Sequence, residues 1–195
     1  LTAITEYNAV LKKHFIDSIT IAKYIKGSSI IDVGTGAGFP GIPLKILNNS
    51  LNITLLDSLN KRLIFLNEVI SKLNLSNIKT QHARAEEAGI NREFREKYDI
   101  AVSRAVAPLN ILVEYLLPFV KVGGNAICMK ANSADEELKI AKNAIKILGG
   151  KVEEIEEFVL PNTDIGRTII VIKKIKNTPN KYPRKAGTPA KQPLV

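Results

Sequence analysis

The sequence predicts an α/β fold of the doubly wound, Rossmann-like kind: a mostly parallel seven-stranded sheet with helices on both faces and an antiparallel hairpin at its end. Three observations predict it. Short β-branched runs alternate with segments of helical period through the middle of the chain. The first run leads directly into a glycine-rich turn. The last two runs follow one another with no helix between them, as an antiparallel pair does. With 195 residues, 45% of them apolar, the chain can bury a single core without disulfides or metals.

Residues 29–33 read as the first strand and 42–47 as the helix after the turn. Residues 52–56 form the second strand, after which Leu63, Leu66, Ile70 and Leu73 fall on one helical face. Segments 78–81, 99–103 and 125–130 supply three more short strands, as expected of strands buried between helices. Helix 109–117 is stopped by Pro118 and then by Gly123 and Gly124. Ser133 and Glu136 have capping-box spacing ahead of a helix whose inner face is Leu138, Ala141, Ile145 and Leu148. The hairpin pairs 151–159 with 168–175. At the front, Leu11, Phe15, Ala22 and Ile25 share a face of a helix expected over 6–26, with further helices expected upstream. Residues 1–176 are thus read as one domain and 177–195 as a tail.

Cys128 lies within an apolar run and reads as a small buried hydrophobe, which fits a reducing compartment. No apolar stretch approaches the roughly 20 residues of a membrane helix, and a cytosolic location is expected. The net charge is +9, and seven basic residues with no acid fall after position 172, including Lys181, Arg184, Lys185 and Lys191. Such a tail suits a polyanionic partner, or else merely solubilises the chain. Its prolines and glycine exclude a helix, leaving an extended arm.

The sharpest motif is Ile30-Ile31-Asp32-Val33-Gly34-Thr35-Gly36-Ala37-Gly38-Phe39-Pro40-Gly41. A dinucleotide site would use G-x-G-x-x-G with the pyrophosphate on a helix N-terminus. Here Phe39 stands at the third glycine's place and Asp32 precedes the turn. That carboxylate is unfavourable to a diphosphate and favourable to a ligand bearing a sulfonium and an ammonium, such as S-adenosylmethionine. Asp57 ends the second strand, where a ribose diol can donate two hydrogen bonds to it. Ala85-Glu86-Glu87 follows the third strand, near the adenine position in this fold, although an exposed helix start would look the same.

The stretch from Asp32 to Leu44 resembles the signature of the GidB/RsmG family of 16S rRNA guanine-N7 methyltransferases. Three further segments resemble it: Leu1-Thr2-Ala3-Ile4 with His14-Phe15-Ile16-Asp17-Ser18, then Leu56-Asp57-Ser58-Leu59-Asn60-Lys61-Arg62, and the closing Tyr182-Pro183-Arg184-Lys185 with Pro189-Ala190-Lys191. The resemblance implies a class I S-adenosylmethionine-dependent methyltransferase fold. It also implies that Gly34, Phe39, Ala85, Glu86 and Arg104 line the cofactor site, to which Gly36 of the turn and Asp57 are added by position. His14, Arg184 and Lys185 are implied to face ribosomal RNA, with S-adenosylhomocysteine as the product cofactor and the small ribosomal subunit as partner. Two departures stand: the family usually has helical residues before Leu1, and Lys130 is followed by Ala131 where glycine is common.

Guanine N7 attacks with a lone pair that carries no proton, so no general base is expected and the chemistry rests on positioning. Arg104, after the fourth strand, reads either as a contact to guanine O6 or phosphate or as the partner of a nearby carboxylate. Arg167 either extends the basic surface or is simply exposed. His82 reads as structural. With aromatics at 6%, recognition of shape and phosphates in an assembled particle is expected over single-strand stacking. A monomer is expected. Two other classes compete: a small-molecule methyltransferase, which would tolerate loss of 177–195, and a nicotinamide-dependent oxidoreductase.

Overall fold

The computed structural model describes residues 6–104, 106–131 and 134–195. Seven strands form one sheet: β1 (Ser29–Val33), β2 (Asn52–Asp57), β3 (Ile78–His82), β4 (Tyr98–Arg104), β5 (Val120–Lys130), β6 (Gly150–Val159) and β7 (Gly166–Lys174). Their order is β3-β2-β1-β4-β5-β7-β6. The first five strands are parallel, while β7 runs antiparallel between β5 and β6. The predicted fold class, sheet and hairpin are those observed.

Alternation along the central strands divides the core. Ile31 and Val33 of β1 pack with α5 (Ala85–Ile90), α6 (Leu109–Leu116) and α7 (Asp135–Ile147) on one face, through Ala88, Leu112 and Ala141. Ile30 packs on the other face with α3 (Gly41–Leu47) and α4 (Asn60–Lys72), through Leu44 and Leu66. The chain order reverses between β1 and β4, so their carboxyl ends part and leave a crevice there.

Several expectations need correction. A helix over 6–26 is not continuous: α1 (Tyr7–Val10), a π-helical turn (Leu11–Ile16) and α2 (Asp17–Ile19) end at Thr20, and a separate 3-10 turn (Ala22–Tyr24) follows. The apolar residues this segment buries are Ile21 and Tyr24, beside the polar Asp17 and Ser18, while Leu11 is exposed. The fifth strand begins five residues earlier than its apolar run, because 120–124 pair or bulge against β4. The tail contains a single helical turn, α8 (Thr188–Lys191), which admits Pro189 because the first turn of a helix has no use for that N–H. Ser133 of the expected capping box and the Leu1-Thr2-Ala3-Ile4 segment lie outside the described residues. Cys128 is buried, and burial pushes its thiol up to about 12, where it is inert near neutral pH.

Candidate functional site

A cleft of about 570 Å³ opens at the carboxyl ends of β1, β2 and β4. Its lining includes Gly34, Gly36, Phe39, Asp57, Ala85, Glu86 and Arg104, together with His14. Residues drawn from separate stretches of sequence therefore meet around one crevice at the topological switch point.

The glycine turn is held from below. Gly34, Gly36 and Gly38 all have positive φ, at 71°, 61° and 94°. A Cβ added to Gly36 would have Gly34 O at 4.0 Å as its nearest neighbour, so this position keeps side-chain bulk out of the cleft. Asp32 Oδ2 accepts hydrogen bonds from Thr35 Oγ1 at 2.7 Å and Gly41 N–H at 2.9 Å, which ties both ends of the turn together. Asp32 is wholly buried and does not line the cleft, so its carboxylate acts on the cleft only as a field through the turn. Burial pushes its carboxyl up to about 6 against those two hydrogen bonds. Asp32 Oδ1 has no partner among the described residues. A carboxylate beneath the turn, offset only in part by these hydrogen bonds and by the Arg104 charge, fits a cation better than a diphosphate.

Asp57 ends β2 with only 3% exposure. Its Oδ2 accepts from Gly36 N–H at 2.9 Å and its Oδ1 from Leu59 N–H at 2.9 Å, while Arg62 Nη1 lies 3.1 Å from Oδ2. These donors fix the carboxylate at the rim of the turn. Glu86 is 7% exposed, which removes the exposed-helix-start reading for it; Glu87 is exposed. Glu86 Oε1 accepts from Gly187 N–H of the tail at 2.8 Å.

At the opposite end of the cleft, Arg104 is paired with a carboxylate. Its Nη1 donates to Asp17 Oδ2 at 3.1 Å and to Lys13 O at 3.0 Å, and its guanidinium carbon lies 5.1 Å from the Phe39 ring centroid. Arg167 is not simply exposed: its Nε donates to Asp17 Oδ1 at 2.9 Å. His14 stacks on Phe39 with centroids 5.0 Å apart, and its Nδ1 is 3.2 Å from Arg104 Nη2. Burial, then the Arg104 charge, lower the His14 pKa, so a neutral ring is favoured there. Arg184 donates a fork to Glu114, 2.9 Å from Nε to Oε1 and 2.6 Å from Nη2 to Oε2, whereas Lys185 is exposed. His82 Nε2 lies 3.1 Å from Ser58 O, at the cleft's margin.

Residues 1–165 match the family model described as GidB, rRNA small subunit methyltransferase G. The chain belongs to this family. It is 60% identical to the ribosomal RNA small subunit methyltransferase G of Acetivibrio thermocellus, over all of this chain and 81% of that protein. The corresponding protein of Clostridium novyi is 52% identical, over all of this chain and 82% of its own length. Among solved structures, a SAM-dependent methyltransferase from Aquifex aeolicus shares the fold with a TM-score of 0.61 and 16% identity, covering 84% of this chain and 92% of its own. TrmN from Thermus thermophilus gives a TM-score of 0.60 at 18% identity, covering 81% and 47% respectively.

Sequence reasoning missed Arg84, Tyr115, Gly187 and Ala190, which also line the cleft. Arg84 adjoins Ala85-Glu86 and was within reach of the motif. Tyr115 carried a weaker signal, since Glu114 beside it is an acid inside an apolar helix and marks a buried polar cluster. Nothing local points to Gly187 or Ala190, because Gly187 meets Glu86 across 101 residues of chain.

Proposed function

We propose that the chain transfers a methyl group from S-adenosylmethionine to N7 of a guanine in 16S rRNA, acting as a cytoplasmic monomer on the small ribosomal subunit. One observation carries this reading: the glycine turn, Asp57, Glu86 and Arg104 converge on one crevice, with the Asp32 carboxyl buried beneath the turn. Bound S-adenosylmethionine supplies an electrophilic methyl group. Asp57 is the acceptor for the ribose hydroxyls, already oriented by Gly36 and Leu59 N–H. Gly36 keeps the floor clear, Gly34 makes room for the Val106 side chain that lines the cleft, and the Asp32 charge complements the cationic end.

Arg104 and the His14–Phe39 stack form the end at which the guanine enters. Asp17 neutralises part of the Arg104 charge while fixing its plane, so Arg104 is a positioning donor and takes no proton. A neutral His14 adds a flat ring without placing a further charge beside a base that becomes positive on methylation. Lys185, with the other exposed basic residues of the tail, is assigned to phosphates. Arg184 and Arg167, each engaged by a buried carboxylate, support the RNA face through the shape they impose.

Radiolabelled S-adenosylmethionine with small subunits lacking the modification tests the reaction. Incorporation followed by chain scission at 7-methylguanine is the expected result. Label that appears only in small molecules, or equal methylation of naked rRNA and of subunits, rejects the reading.

A further inference from the structure

The chain's last segment is built into the cleft. Thr178 N–H donates to Glu96 Oε1 at 2.8 Å, Tyr182 is buried, and its carbonyl accepts from Arg95 Nη1 at 2.7 Å. Arg184 then forks onto Glu114, and Gly187 N–H reaches Glu86. Gly187 and Ala190 end up in the cleft wall, although the nearest other lining residue in sequence, Tyr115, precedes them by three strands and a helix.

The sheet order says which end of the cleft this wall closes. Asp57 ends β2, with β1 and β4 on one side and β3 on the other. The reacting end of a donor whose ribose sits on Asp57 faces β4 and Arg104, where substrate enters. Its base must then extend the other way, past the end of β3, toward Glu86 and the strap. A purine needs flat space and edge partners. Gly187 has no side chain and Ala190 only a methyl, Tyr115 contributes a ring, and the Glu86 carboxylate has about four acceptor positions of which Gly187 N–H uses one.

We propose that the strap 182–191 is the outer wall of the donor cleft at its nucleobase end, with Gly187 and Ala190 as binding residues. The proposal rests on the donor-site reading above. Donor binding and strap docking then favour each other, because a ligand held across the Glu86–Gly187 hydrogen bond stabilises the docked strap. A strap that served only to bind RNA, or only to cover the core, would be indifferent to the donor.

The full chain tests this, with S-adenosylhomocysteine as the probe. Ala190 is exposed, so Ala190→Phe is tolerated by the core and crowds the cleft. Calorimetry is expected to give binding at least about tenfold weaker than wild type, with an unchanged melting temperature in the absence of ligand. In the wild-type protein, saturating S-adenosylhomocysteine is expected to slow amide exchange in peptides covering 182–191. Affinity of Ala190→Phe within about twofold of wild type, or exchange in the strap that ignores the ligand, overturns the proposal. Absence of any heat with the wild-type protein is a different result: it removes the donor-site reading itself, and the strap's role with it.

Discussion

Glu114 has no exposed surface, lies on the apolar helix α6, and meets Arg184 from 70 residues further along. Its desolvation is offset only while the guanidinium stays in place. Arg184→Ala is expected to destabilise the fold by about 3–5 kcal/mol in urea denaturation, with Glu114→Met/Arg184→Met recovering much of the loss. On the proposed donor site, Asp57 is the corresponding residue for the ligand. Asp57→Ala is expected to weaken S-adenosylhomocysteine binding by about 1–3 kcal/mol, read by calorimetry, since a buried acceptor for two hydroxyls disappears. The placing of Gly34, Gly36 and Asp57 at the cleft was legible because each is tied to a strand end by local spacing, whereas for Glu86 spacing left an exposed helix start equally open and the family resemblance pointed to the cleft. The sharing of Asp17 by Arg104 and Arg167 was not legible, because it joins residues 87 and 150 positions apart and leaves no period in the sequence.

At the level of elements, β1 and β4 were readable from their apolar runs, and their registration depends on a carboxylate that the runs do not advertise. Asp99, at the start of β4, accepts from Ser28 N–H at 3.0 Å, from Ser29 N–H at 2.9 Å and from Ser29 Oγ at 2.9 Å, and pairs with Lys121. Partial burial alone would raise its pKa, and the lysine and serine hydrogen bonds outweigh that to hold it down to about 2. The folded value lies below the ordinary 3.8, so the unfolded chain takes up this proton first as pH falls. Stability from Asp99 is therefore complete above about pH 4 and is lost as pH falls toward 2. Asp99→Asn is expected to flatten the melting temperature between those limits in a calorimetric pH series. The front helix was misread because apolar residues continue past Thr20, where the backbone turns: the predicted face of Leu11, Phe15, Ala22 and Ile25 is nowhere fully buried, and the turn buries Ile21 and Tyr24 instead.

For the molecule as a whole, the alternation of strands and helices sufficed for the sheet and both helical layers, because period encodes which face of each element is buried. The tail was read as an extended arm from its prolines and charge, and its tertiary anchors, which hold it on the domain, were not legible. Deleting 177–195 takes Arg184 from the buried Glu114, Gly187 from Glu86, and Asn177 and Thr178 from Glu96, so a lower melting temperature is expected even without RNA. Loss of activity in such a truncation therefore does not separate an RNA substrate from a small one. Replacing Lys185 by Glu is the cleaner probe: subunit affinity should fall and its salt dependence weaken, with a change in log–log slope of roughly 0.7–0.9 for each phosphate that the tail no longer neutralises.

Because β7 threads between β5 and β6, the sheet ends on β6, whose outer row of peptide groups has no strand beside it among the described residues. That border carries Glu153, Glu154, Glu156 and Glu157, and its register slips between Val152 and Glu154. Two molecules approaching border to border would bring these carboxylates together over a kinked ladder. Lys23 offsets Glu156, and Tyr24 Oη donates to both Glu154 and Glu156, yet acids still outnumber bases along this border, so like charge and the slipped register together disfavour edge-to-edge pairing of two copies.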